Sequence, residues 1–89
     1  MKKVLLFSDM DCPPCKMLRP LTEQMAERYG FEYQNFMLEE SVTPFVEYGV
    51  TGVPVFVILD EAENECGRFN GHQTQTSLEA NLKKFGVIQ

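Results

Sequence analysis

No apolar run in this chain of 89 residues approaches the roughly 20 residues that a membrane span requires. Met1-Lys2-Lys3 followed by Val4-Leu5-Leu6-Phe7 begins like a signal peptide. The apolar stretch stops at Ser8-Asp9, short of the roughly 7–15 residues of an h-region, so a cytoplasmic location and no membrane are expected. Cysteine is sparse: three residues, an odd number that does not suit a secreted disulfide framework. Basic residues are outnumbered, 8 Lys and Arg against 13 Asp and Glu, for a net charge of −5. The acidic residues are scattered and no basic stripe is visible, which argues against nucleic acid as a partner. Tryptophan is absent and histidine occurs once. Repeats, linkers and low-complexity stretches are missing too. What remains is an ordinary globular composition, with 44% apolar and 24% charged residues. It is expected to fold as one domain over residues 1–89 that buries about 60–70% of its unfolded surface.

The pattern of apolar residues predicts seven elements. Lys2–Ser8 is nearly continuous and reads as a strand buried on both faces. Cys12 falls at a helix cap, with Pro13 in the first turn where a missing N–H costs nothing. Met17, Leu18, Leu21, Met25 and Tyr29 then recur at helical spacing until Gly30. Pro20 interrupts this helix and leaves the carbonyl four residues earlier without its donor. Phe31–Met37 reads as a second strand. Thr43 and Pro44 signal a short helix, with Thr43 as cap, ending at Gly49. Val55–Leu59 is the most strand-like segment, and the polar turn Asp60–Asn64 joins it to a fourth strand over Glu65–Asn70. Thr76 with Glu79 fits a capping box for a last helix carrying Leu78, Leu82 and Phe85 on one face and closed by Gly86. The order β-α-β-α-β-β-α implies an α/β fold: a parallel unit, then an antiparallel hairpin, in a four-stranded mixed sheet with helices on both faces.

The chemistry concentrates in Cys12-Pro13-Pro14-Cys15. A helix start offers unpaired N–H groups and partial positive charge, which favour a thiolate. Pro14 has no N–H, so the nearest helical donor for the Cys12 sulfur is the Cys15 amide. That donor and the dipole should lower the thiol pKa from its free value of about 8.5. Asp9 and Asp11 oppose the effect and Lys16 partly offsets them. Cys15, inside the first turn, should be the less exposed. Cys12 is thus expected to attack and Cys15 to resolve, with Pro13 and Pro14 stiffening the ring and Lys16 modulating it. Buried core cysteines or half of a zinc site are the structural alternatives. Cys66 and His72 could complete a Cys3His set, but their separation exceeds usual finger spacing and the domain should fold without metal. No metal and no cofactor are therefore expected.

Together, Cys12-Pro13-Pro14-Cys15-Lys16-Met17, Pro20, Tyr48-Gly49-Val50-Thr51-Gly52-Val53-Pro54 and Gly71 resemble the thioredoxin family, in order and over nearly the whole chain. Thioredoxins carry an N-terminal strand and helix that this chain lacks. In length it is similar to glutaredoxins and most like the small single-domain thioredoxins of archaeal type. The resemblance implies a minimal thioredoxin-like fold, a redox-active Cys12–Cys15 disulfide and a cis Val53–Pro54 bond beside it. It also implies contacts to substrate from Val53, Pro54, Asp11 and Gly71, with the Val53 backbone pairing to an extended segment by strand addition. Two departures stand out. Asp11 occupies the place of the usual Trp before the first cysteine, and Leu6 that of a buried Asp held to help deprotonate the second thiol. Glutaredoxins usually have Tyr or Phe between the cysteines and a Gly-Gly…Asp stretch, which Pro13-Pro14 and Asn70-Gly71-His72-Gln73 do not match.

The expected function is that of a monomeric protein-disulfide reductase, recharged by a thioredoxin reductase or a similar reductant and acting on disulfide-containing proteins. A glutathione-dependent, glutaredoxin-like reductase is the alternative among enzymes, and a non-catalytic metal- or protein-binding module the alternative outside them. Cys66 is expected to be simply packed, His72 to be an exposed loop residue, and the five methionines to fill gaps, with Met10 facing a partner. The Glu39-Glu40 and Asp60–Glu65 clusters read as solvated turns.

Overall fold

The first strand forms the spine of the molecule. In the computed structural model, which describes residues 2–89, β1 (Lys3–Ser8) pairs in parallel with β2 (Glu32–Met37) on one side. On its other side β1 pairs antiparallel with β3 (Val55–Leu59), and β3 with β4 (Glu65–Asn70), giving the order β2-β1-β3-β4. The continuous apolar runs have their physical cause here. The two inner strands are covered on both faces, so Val4–Ser8 and Val55–Leu59 are all buried.

Alternation along the strands divides the core in two. Val4, Leu6, Phe56 and Ile58 face α1 (Pro13–Tyr29) and α3 (Gln75–Lys84), packing on Leu18, Met25, Leu78 and Leu82. Leu5, Phe7, Val55, Val57 and Leu59 face the other way, onto Phe45 of α2 (Thr43–Glu47) and Val50. Helices therefore cover both faces of a four-stranded mixed sheet, as expected. Gly67, on β4, has no side chain where the Phe85 ring lies across the sheet, and Phe56, Phe69 and Phe85 stack in series beside it, with centroids 4.7 and 6.0 Å apart.

Several local expectations need correction. The cap of α3 is Thr74, not Thr76: its hydroxyl accepts from the Ser77 N–H at 3.0 Å, and the Ser77 hydroxyl accepts from the Thr74 N–H at 2.9 Å. Val42, not Thr43, occupies the cap position of α2, because its carbonyl accepts the first helical hydrogen bond, from the Val46 N–H at 3.1 Å. Met17 is 47% exposed rather than in the core, and Tyr29 is also exposed, under the Arg28 guanidinium. On α1 the buried positions are Cys15, Leu18, Thr22 and Met25, with the Thr22 hydroxyl donating to the Leu18 carbonyl at 2.7 Å. Gly30 ends α1 in the left-handed region at φ 78°, where its N–H reaches the Ala26 carbonyl at 2.8 Å. Cys66 is exposed rather than packed, since it lies on the edge strand β4 between Glu65 and Gly67.

Candidate active site

The end of β1 delivers the chain to the start of α1, and the turn between them is pinned by two carboxylates, one its own and one from the segment after β2. Asp9 accepts from the Asp11 N–H at 3.0 Å, and Glu39 accepts from the Met10 N–H at 3.1 Å. Cys12 follows as the helix cap with extended backbone, φ −100° and ψ 101°. Pro13 and Pro14 occupy the first two helical positions and offer no N–H. The first amide available is that of Cys15, which donates to the Cys12 sulfur at 3.3 Å and to the Cys12 carbonyl at 3.1 Å. The sequence expectation for this donor is met.

Cys12 and Cys15 are joined as a disulfide across a Cα–Cα distance of 5.3 Å. The two differ in burial: Cys12 retains 7% of its surface and Cys15 none. Asp11, Pro13, Lys16, Met10 and Met17 are exposed around the pair.

Val53–Pro54 is a cis peptide. It precedes β3 at the end where Val55 pairs with Phe7, so it lies at the same end of the sheet as the Asp9–Cys12 turn. Pro54 is buried and its carbonyl accepts from the Gly71 N–H at 3.0 Å, which joins two of the expected substrate-contact positions. Among the described residues the Val53 amide and carbonyl make no hydrogen bond. Gln73, which sequence reasoning did not single out, organises this corner. It is buried, donates to the carbonyls of Asn70 and Gly71 at 3.3 Å each, and accepts from Ser77 and Asn81 of α3. His72 is exposed beside it.

Leu6 is fully buried within the apolar cluster beneath α1. The buried polar side chains among the described residues are Ser8, Thr22 and Gln73, so no buried carboxylate serves the dithiol. Instead a polar network without a carboxylate lies under α1. Ser8 donates to Asn35 at 2.8 Å and lies 3.0 Å from the Met37 sulfur, while Arg19 donates to the Ser8 hydroxyl at 3.4 Å. The Tyr33 hydroxyl donates to the Arg19 carbonyl, and burial, with Glu23 adding to it and Arg19 opposing, pushes the Tyr33 phenol above its usual range. On the far side of the Val53 loop, Arg68 grips Glu65 with two contacts of 2.8 Å and donates to the Tyr48 carbonyl at 2.6 Å. Their pairing lowers the Glu65 carboxyl and raises the Arg68 guanidinium. The described residues contain no group of three His, Cys, Asp or Glu able to hold a metal ion, and no helix among them is long and apolar enough to cross a membrane.

Comparison with known proteins bears on this geometry. The family model for thioredoxin matches residues 2–84. The chain is 29% identical over 76 residues to the chloroplastic M-type thioredoxin of Brassica napus, covering 83% of this chain and 42% of that protein. The thioredoxin of Porphyra purpurea is 26% identical, with 83% and 70% covered. The chain thus spans less than half the length of the chloroplastic relative and most of the algal one. Among solved structures, a mutant thioredoxin from Halobacterium salinarum superposes with a TM-score of 0.82 at 26% identity, covering 94% of this chain and 74% of that one.

Proposed function

The chain belongs to the thioredoxin family, and from that premise we propose that it is a protein-disulfide reductase working through Cys12 and Cys15. The observation that carries this reading is the Cys12 sulfur at a helix start, in a residue that keeps 7% of its surface, bonded to a fully buried Cys15 and accepting the first free helical amide. In the reduced protein the Cys12 thiolate attacks one sulfur of a substrate disulfide. A Cys12–substrate disulfide forms and the first substrate thiolate leaves, taking a proton. Cys15 then loses its proton and its sulfur attacks that of Cys12, releasing the second substrate thiolate and forming the Cys12–Cys15 disulfide. Two electrons pass from the dithiol to the substrate, and an external reductant restores them.

The free backbone of Val53 suits an extended substrate held by strand addition, with Pro54, Gly71 and Asp11 around it. Pro13, Pro14 and Lys16 tune the pair from its edge. A monomer in a reducing compartment such as the cytoplasm, recharged by a thioredoxin reductase, fits this scheme.

The test is steady-state reduction of a protein disulfide by the purified chain, regenerated either by NADPH with a thioredoxin reductase or by glutathione. Turnover with the reductase at least about tenfold above that with glutathione is expected. Efficient turnover with glutathione alone supports the glutaredoxin-like alternative. No turnover with either, together with stoichiometric zinc or iron after anaerobic purification, supports the binding-module alternative.

A further inference from the structure

Beside the Val53 loop an open cavity of about 300 Å³ runs toward α2. Its floor is Phe45 and Val50, and its rim is formed by Leu38, Val42, Val46 and the Gly52–Val53 backbone. Val42 and Val46 lie one helical turn apart and are 58% and 73% exposed. Among the described residues nothing covers them, although Phe45 between them is buried against Phe7. A five-residue helix is thus apolar on both sides, one side serving the core and the other facing water.

Carboxylates dominate the charge around this cavity, and the Arg68 guanidinium, which reaches the Tyr48 carbonyl from the other side of the Val53 loop, is paired with Glu65. Asp9 lines it directly. The segments that build it and the neighbouring cysteine turn, residues 38–53 and 9–14, contain Glu39, Glu40, Glu47, Asp9 and Asp11 and no Lys, Arg or His. All five carboxylates are exposed or half-buried. The nearest cation in sequence is Lys16, on the first turns of α1. An apolar slot with an anionic rim complements an apolar side chain with cationic neighbours.

The slot is also continuous with the strand-pairing position. In an extended guest pairing with Val53, successive side chains point to opposite faces, so a residue next to the paired one is aimed at the slot. We propose that this groove selects disulfide substrates whose reacting cysteine lies within a residue or two of a bulky aliphatic or aromatic side chain flanked by Lys or Arg. The inference rests on the disulfide-reductase reading and specifies the substrate class of that same site.

The experiment compares three peptide disulfides that differ only beside the cysteine: leucine with flanking arginines, leucine with flanking glutamates, and serine with flanking arginines. The full chain reduces each, regenerated by dithiothreitol and with the rate of dithiothreitol alone subtracted, at low salt and in 0.5 M NaCl. The leucine–arginine peptide is expected to show kcat/KM about tenfold above each of the others at low salt. Its advantage over the glutamate peptide should shrink to about threefold or less in high salt, where exposed charges are screened. Val46→Ser should lower the leucine-over-serine ratio about fivefold, and Glu40→Gln with Glu47→Gln the arginine-over-glutamate ratio. These side chains are exposed, so the variants should fold. Equal rates for all three peptides overturn the selectivity while leaving the reductase reading intact. Failure to reduce any of them overturns both. A concentration-dependent dimer abolished by Val46→Ser would assign the slot to a second copy of the chain and also overturn the proposal.

Discussion

The Cys15 N–H reaches the Cys12 sulfur at 3.3 Å because the two residues between them have no N–H to offer. The pair of prolines therefore limits the stabilisation of the Cys12 thiolate to a single backbone donor and the field of a 17-residue helix.

Restoring a donor should strengthen that stabilisation. Pro14→Ala places an amide at the second helical position, within reach of the cap sulfur. In a Cys15→Ser background, thiolate absorbance at 240 nm should show Cys12 ionising at lower pH than with Pro14 present, by about half a unit. An unchanged or higher titration midpoint would mean that the helix amides do not govern this thiol.

Gly67 carries a packing consequence. A methyl group there would enter the Phe85 ring, which stacks on Phe69 and cannot retreat freely. Gly67→Ala should destabilise the fold by about 1–3 kcal/mol in urea titrations, since overpacking forces ring and backbone shifts. Gly67 is remote from the cysteines in the fold, so reactivity of the folded protein should change little.

Tyr33 makes stability fall in alkali. Its phenol is raised in the folded state, mainly by burial, against about 10 in the unfolded chain. The folded protein therefore holds this proton more tightly. The contribution is fully present below about pH 10 and is lost as pH rises from there toward the folded value. Urea midpoints measured at pH 8 and 10.5 should drop less for Tyr33→Phe than for the natural chain.

The sheet and helices were legible because their signals are local and dense. β1 and β3 are continuous apolar runs, and α1 has Cys12-Pro13 at one end and Gly30 at the other. The cap of α3 was not, since Thr74 and Thr76 each have a capping partner three residues on, Ser77 and Glu79. The choice is made by Gln73, whose side chain binds Ser77 and Asn81 and fixes where the helix starts. Thr74→Ala should accordingly cost about 1 kcal/mol in a urea titration and Thr76→Ala less than about 0.5. Cys66 could not be placed because a strand's position in the sheet depends on pairing, which a single sequence does not print. The Ser8–Asn35–Arg19 network was invisible for a related reason: its members are 11 and 27 residues apart. At the site, the dithiol and the Val53–Pro54–Gly71 corner were legible from their motifs. The slot formed by Val42 and Val46 was not, because apolar residues in a short helix look like core until the fold leaves them uncovered.

The division of labour between the two cysteines is the centre of this account. Incubating the reduced Cys15→Ser and Cys12→Ser variants with a disulfide-containing protein and analysing the products by intact mass tests it directly. Cys15→Ser should accumulate a mixed disulfide through Cys12, and Cys12→Ser should accumulate none. A stable adduct through Cys15 in Cys12→Ser, with none in Cys15→Ser, would contradict the assignment of Cys12 as the attacking thiol.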